Sequence, residues 1–156
     1  MKTTLVILAS VLLIAGMVGI SIAETQQAVT ASVSINGAAS ITISNSTLTF
    51  GNVDADDGDK VPTENPLTVT IDSNTVYNVK TASDDTAFTG PGTLNDEQLK
   101  WATTLEGTYT GYDTTEVTVT TGSAGGGNHD LYHKLTVPAG TTAGSYNLPI
   151  TLTVTA

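Results

Sequence analysis

The chain has no cysteine and no arginine among its 156 residues. Without cysteine no disulfide can form, so stability must come from the core and the backbone hydrogen-bond ladder. The same absence excludes blue-copper sites, iron–sulfur clusters and thiol nucleophiles. Cations are scarce. Five lysines stand against fifteen acids, for a formal net charge of −10. Beyond residue 23 the only strong bases are Lys60, Lys80, Lys100 and Lys134, and without Lys2 the charge becomes −11. Nucleic acid is therefore excluded as a partner, because phosphate binding needs clustered cations. An anionic membrane surface would repel such a chain once it is free of its leader. Aromatic residues are few and Trp101 is the only tryptophan. There is no Gly-x-Ser-x-Gly elbow. The carboxylate pairs Asp84–Asp85 and Asp96–Glu97 are sequence neighbours, which does not define the opposed geometry of a glycosidase. The expectation is a protein that is not an enzyme.

Long apolar runs are also missing, with one exception at the N-terminus. Lys2 precedes a nearly unbroken apolar stretch from Leu5 to Ile20, and Ser21-Ile22-Ala23 places small residues at −3 and −1 of a cleavage site. This pattern reads as a secretory signal peptide over residues 1–23, with the mature chain starting at Glu24. Leu5 to Ala23 is also close to the minimum length of a membrane span, so retention as an anchor is the second reading. Either way the protein is expected outside the cell or on its surface.

What is abundant is threonine, roughly a fifth of the chain and well above ordinary usage. Its branched Cβ suits a pleated strand while its hydroxyl faces water. Apolar residues alternate with period two through most of residues 24–156, the strand signature. Val29, Ala31, Val33 and Ile35 share one face, and Asn36-Gly37 follows as a hairpin signal leading to Ile41 and Ile43. Leu48 and Phe50 mark a further strand. Residues 54–66 read as an acidic loop. Leu67, Val69 and Ile71 alternate, Asp72-Ser73-Asn74 turns the chain, and Tyr77, Val79 and Thr81 return it. After a loop over 83–97, Asn95 is placed to cap a single helical turn. Strands are expected at Leu99–Thr103, at Val117 and Val119, and across Leu131, His133, Leu135 and Val137. Residues 122–128 read as a flexible connection between the last two. The final strand, Tyr146 to Val154, alternates most regularly. Pro149 within it lacks a donor and marks a sheet edge or a bulge. About nine short strands with polar outer faces predict an all-β fold. Its architecture is an antiparallel two-sheet β-sandwich, immunoglobulin-like or jelly-roll, in a single domain over 24–156.

Two stretches carry a resemblance. Leu48-Thr49-Phe50-Gly51-Asn52-Val53 is similar to the L-x-F-G-x-V opening of several exported β-sandwich families. Leu135-Thr136-Val137-Pro138-Ala139-Gly140, with Ala143-Gly144-Ser145-Tyr146 and the threonine-rich end, is similar to their closing strands. The nearest are spore coat protein U-type domains, archaeal bundling pilin-like subunits and WxL-like domains. The resemblance implies a small sandwich at the cell surface that polymerises or binds wall material. The chain departs from these families in lacking a disulfide and in having Ala102 and Thr103 after Trp101, so no Trp-x-Leu motif is present.

Asp54, Asp56, Asp57 and Asp59 around Gly58 form the densest carboxylate cluster, a candidate structural calcium site because Ca²⁺ takes six to eight oxygen ligands. The spacing departs from an EF-hand loop, and a solvated acidic loop is the competing reading. No other cofactor is expected. His129 and His133 lie four apart. On one strand they would stand about 13 Å apart, too far to share a metal. Asn45 heads the single N-x-S/T sequon and is a candidate glycosylation site. Trp101, with Tyr109, Tyr112 and Tyr132, either forms a sugar-stacking platform or sits in the core. Val29, Ala31, Val33 and Ile35 are the candidate donor strand for assembly between molecules. The same segment could instead be the first strand of its own sheet. The expected function is a structural surface protein that assembles with itself or other surface proteins by strand addition. A carbohydrate- or cell-wall-binding module is the alternative.

Overall fold

In the computed structural model the described residues are 31–156, together with two short strands, β1 (Val6–Ile7) and β2 (Gln27–Ala28). The remainder of the leader, its cleavage site and Val29 lie outside the described residues. The chain forms two compact units, Met1–Asn36 and Gly37–Ala156. In the first, β1 pairs antiparallel with β2.

The second unit is built from strands wherever period-two alternation meets a partner. These are β3 (Ala39–Ile43), β4 (Asp59–Lys60), β5 (Leu67–Ser73), β6 (Tyr77–Ser83), β7 (Leu99–Ala102), β8 (Thr110–Gly111), β9 (Val117–Gly122), β10 (Gly127–Thr136) and β11 (Ile150–Thr155). All pairings are antiparallel. One sheet runs β3-β5-β10-β7-β8, with β4 paired to the far part of β10, and the other runs β11-β6-β9. The fold is thus an all-β, two-sheet antiparallel sandwich. Leu67, Val69 and Ile71 of β5 and Leu131, His133 and Leu135 of β10 point inward against Tyr77 and Val79 of β6, all buried. Threonines occupy much of the outer faces, and Thr68 and Thr70 donate to Asp130 and Asn128 across the β5–β10 pair.

Several expectations need correction. Residues 31–38 form no strand, and the Asn36-Gly37 hairpin is absent. A two-residue hairpin of that type needs positive φ at both positions, and neither Asn36 nor Gly37 has it. Instead Ala38 is engaged by the β5–β6 connection. Its N–H donates to Asn74 Oδ1 at 2.7 Å, and its carbonyl accepts from Ser73 Oγ and from Asn74 N–H. Those bonds tie Ala38 to the β5–β6 connection, away from any pairing with residues 31–35. Leu48 to Phe50 is no strand either. Thr49 has its N–H bound by Glu64 Oε2 at 2.7 Å and its carbonyl bound by Thr63 N–H at 2.9 Å, a two-point tether in place of a ladder. The acidic loop contains β4, because Asp59 and Lys60 meet Thr136 and Leu135.

β5 and β6 do not pair with each other. The Asn74 turn carries the chain from one sheet to the other, which sequence alternation cannot distinguish from a hairpin. A 3-10 turn covers Asp96–Gln98 as expected, but Asn95 makes no side-chain cap. Gly127 and Asn128, read as connection, already belong to β10. At Gly126, φ is 68° and an added Cβ would lie 2.0 Å from the Ile71 carbonyl oxygen, so only glycine lets the chain enter β10 there. The last strand begins only at Ile150. Pro149 precedes it, and its carbonyl accepts from Asp84 N–H.

Candidate functional site

Two strands end their sheets on the same side of the sandwich. β3 pairs only with β5 and β11 only with β6 among the described residues, and β3 and β11 approach each other without pairing. Between them the inter-sheet space opens as a groove of about 1230 Å³. Its floor is the core itself, at Leu67, Leu99 and Leu135. One wall is β3 and the tethered segment carrying Leu48, Phe50 and Val53. The other is β11 with Phe88, Tyr146 and Leu148.

The groove leaves inward-facing side chains half covered. Ile43 stands opposite Val69 in the β3–β5 ladder, yet Ile43 is 38% exposed and Val69 only 1%. Ile41, Leu48, Phe50, Leu148, Ile150, Leu152 and Val154 all pack against the core while remaining only partly buried. An apolar face of this kind on one molecule marks an interaction surface. The Glu64–Thr49 bond holds the wall in place, and that backbone N–H lowers the Glu64 carboxyl pKa.

Of the candidate donor segment, the apolar residues that are described are exposed. Val33 is 85% and Ile35 79% exposed, and Ala31 is exposed as well.

The remaining candidate residues do not gather into a site. Asp54, Asp56, Asp57 and Asp59 are all exposed. Asp57 pairs with Lys60, Asp59 accepts from Thr136 Oγ1, and Asp56 N–H binds the Val137 carbonyl. Among the described residues no group of three or more acids or histidines converges as a metal site would require. Trp101 is buried in the core, as is Tyr112, so these two rings do not belong to a surface stacking platform. Tyr109 instead lies under the Lys134 ammonium, 4.2 Å from the ring centre. Asn45 is exposed at the rim of the groove, accessible to modification.

His129 and His133 share the inward face of β10, and each meets a tyrosine. His129 Nε2 is 2.8 Å from Tyr77 Oη, and His133 Nε2 is 3.0 Å from Tyr112 Oη. The His133 and Tyr112 rings stack at 9°. His133 is fully buried and its Nδ1 has no partner. Burial pushes its pKa down to about 4 and raises that of Tyr112. These two pairs fasten β10 to the opposite sheet and to the β8–β9 connection. The groove itself escaped sequence reasoning because it is made by two edges meeting in space. Its only sequence signal was Pro149 beside β11.

The chain matches no protein-family model and no curated protein.

Proposed function

We propose that this chain is a non-catalytic structural protein, secreted or held at the cell surface, that self-assembles by β-strand addition. Two observations carry the reading: an alternating apolar segment, Ala31, Val33 and Ile35, that is exposed and in no strand, and a sandwich whose outer strands β3 and β11 each have one partner among the described residues. An exposed edge presents a row of backbone donors and acceptors that another chain can complete. Backbone ladder bonds supply affinity in such a contact, and alternate side chains set specificity. The N-terminal run from Leu5 to Ala23 supports export. The excess of acid over base supports solubility of the subunit before it assembles.

The test is made on protein recovered from the surface fraction of producing cells. Intact mass should give Glu24 as the first residue, and electron microscopy and sedimentation should show polymers. A species that stays monomeric at every concentration would refute the assembly reading.

A further inference from the structure

We propose that the groove between β3 and β11 is the acceptor site, and that its occupant is the segment Val29–Ile35 of a second copy, paired along the free edge of β11. The inference rests on the self-assembly reading and specifies its contact.

Topology supplies the first argument. In an immunoglobulin-type sandwich one sheet reads A-B-E-D and the other C-F-G. Here β3, β5, β10 and β7 take the A, B, E and D places, and β6 and β11 take C and F, all in chain order. β8 and β9 are additions at the opposite edges. Nothing in the second unit stands at G, beside β11, and the groove opens on that side. The sandwich lacks one strand, which explains why Ile43, Ile150, Leu152 and Val154 face inward without being buried.

The donor matches that place in length, spacing and charge. Seven residues from Val29 to Ile35 span about 23 Å at ~3.3 Å per residue, against about 20 Å for β11. Its apolar side chains recur every second residue, as do Ile150, Leu152 and Val154 on the acceptor. Residues 25–35 carry no charge, and Asp54 is the only charged residue lining the groove. Two chains starting at Glu24, each of net charge −11, can therefore meet there with little local repulsion.

A second copy is favoured over the chain's own tail by the geometry at Asn36-Gly37. The Asn36-Gly37 hairpin that would fold the segment back on its own chain is absent, since neither residue has positive φ.

Because the chain has no native cysteine, introduced thiols report the contact directly. A full-length chain carrying Val33→Cys is mixed, under mild oxidation, with chains carrying Ile150→Cys, Leu152→Cys or Val154→Cys. These three positions, two residues apart, allow for register. Thr118→Cys, on the opposite edge strand β9, is the control. A disulfide needs Cα atoms within about 7 Å, so one of the three should give intermolecular dimer at least ~10-fold above the control. A chain bearing both thiols should give ladders. Linkage confined to single molecules, or stronger linkage to Thr118→Cys, would overturn the proposal. Polymers that form normally without enriched linkage to β11 would overturn the groove assignment and leave self-assembly standing. Absence of polymers in the unmodified protein would sink both. Val33→Asp with Ile35→Asp gives a second reading that spares the fold, since both side chains are exposed. Polymerisation should fall ~100-fold or more, because a carboxylate would have to enter an apolar groove unpaired. Unchanged polymerisation by that variant would overturn the proposal.

Discussion

At the scale of single residues, His133 shows how a polar group is used as core. It is fully buried beside Tyr112, with one ring nitrogen bonded and the other without a partner. Its pKa of about 4 lies below the ordinary value near 6.5, because burial disfavours the charged ring. The unfolded chain therefore binds a proton at a higher pH than the folded one. The stability from this group is complete above about pH 6.5 and is lost as pH falls toward about 4, at ~1.4 kcal/mol per pH unit. Over the whole window this amounts to about 3 kcal/mol. Urea unfolding at about pH 7 and about pH 5 should show a loss of ~2 kcal/mol that His133→Gln removes. The same pH slope in both proteins would mean that His133 does not titrate in this way. Trp101 is a residue for which the sequence left core and surface platform open. Its place on β7, paired across from His133, puts it inside.

At the scale of elements, β10 and β11 mark a fully buried part of the fold and a half-buried one. β10 is flanked by β5 and β7 and carries Leu131, which has no exposed surface. Among the described residues β11 has one neighbour, β6, and its inward residues are only half-buried. Leu131→Ala should cost ~2–5 kcal/mol of subunit stability, as full burial dictates. Ile150→Ala should cost ~1–2 kcal/mol, because part of its surface is already wet. Urea unfolding of the monomer measures both. Equal losses would show that the groove is closed in solution. The tail and β11 also illustrate the limit of alternation as a signal. Residues 31–35 alternate as clearly as β5, but a strand exists only where a partner takes its backbone bonds.

At the scale of the whole molecule, net charge would oppose the proposed assembly. Fifteen acids against four lysines would make a chain starting at Glu24 self-repelling. If the subunits join through a charge-free contact, repulsion acts at long range and salt should screen it. The Debye length falls from about 30 Å at 0.01 M to about 8 Å at 0.15 M. Light scattering should therefore show faster polymer growth as sodium chloride rises over that range. Slower growth in salt would point instead to ion pairs at the interface.

Composition and alternation by themselves determined that the chain is an all-β sandwich, because period two and the absence of amphipathic helices leave little else. They also placed the inward residues of β5, β6 and β10, where both sheet neighbours are present and burial follows the pattern. Pro149, expected within the last strand, lies just before it, so its missing N–H takes no part in the edge that β11 presents. Only the tertiary structure decided which alternating segments became strands, since pairing depends on residues far away in sequence. The clearest case is Ala38, whose bonds to Ser73 and Asn74 cancel the Asn36-Gly37 hairpin. Only the tertiary structure, too, gave Asp56, Asp57 and Asp59 separate partners and brought the edges of β3 and β11 face to face. The groove lies between those edges, and no local stretch of sequence encodes a space bounded by residues as distant as Ile41 and Leu152.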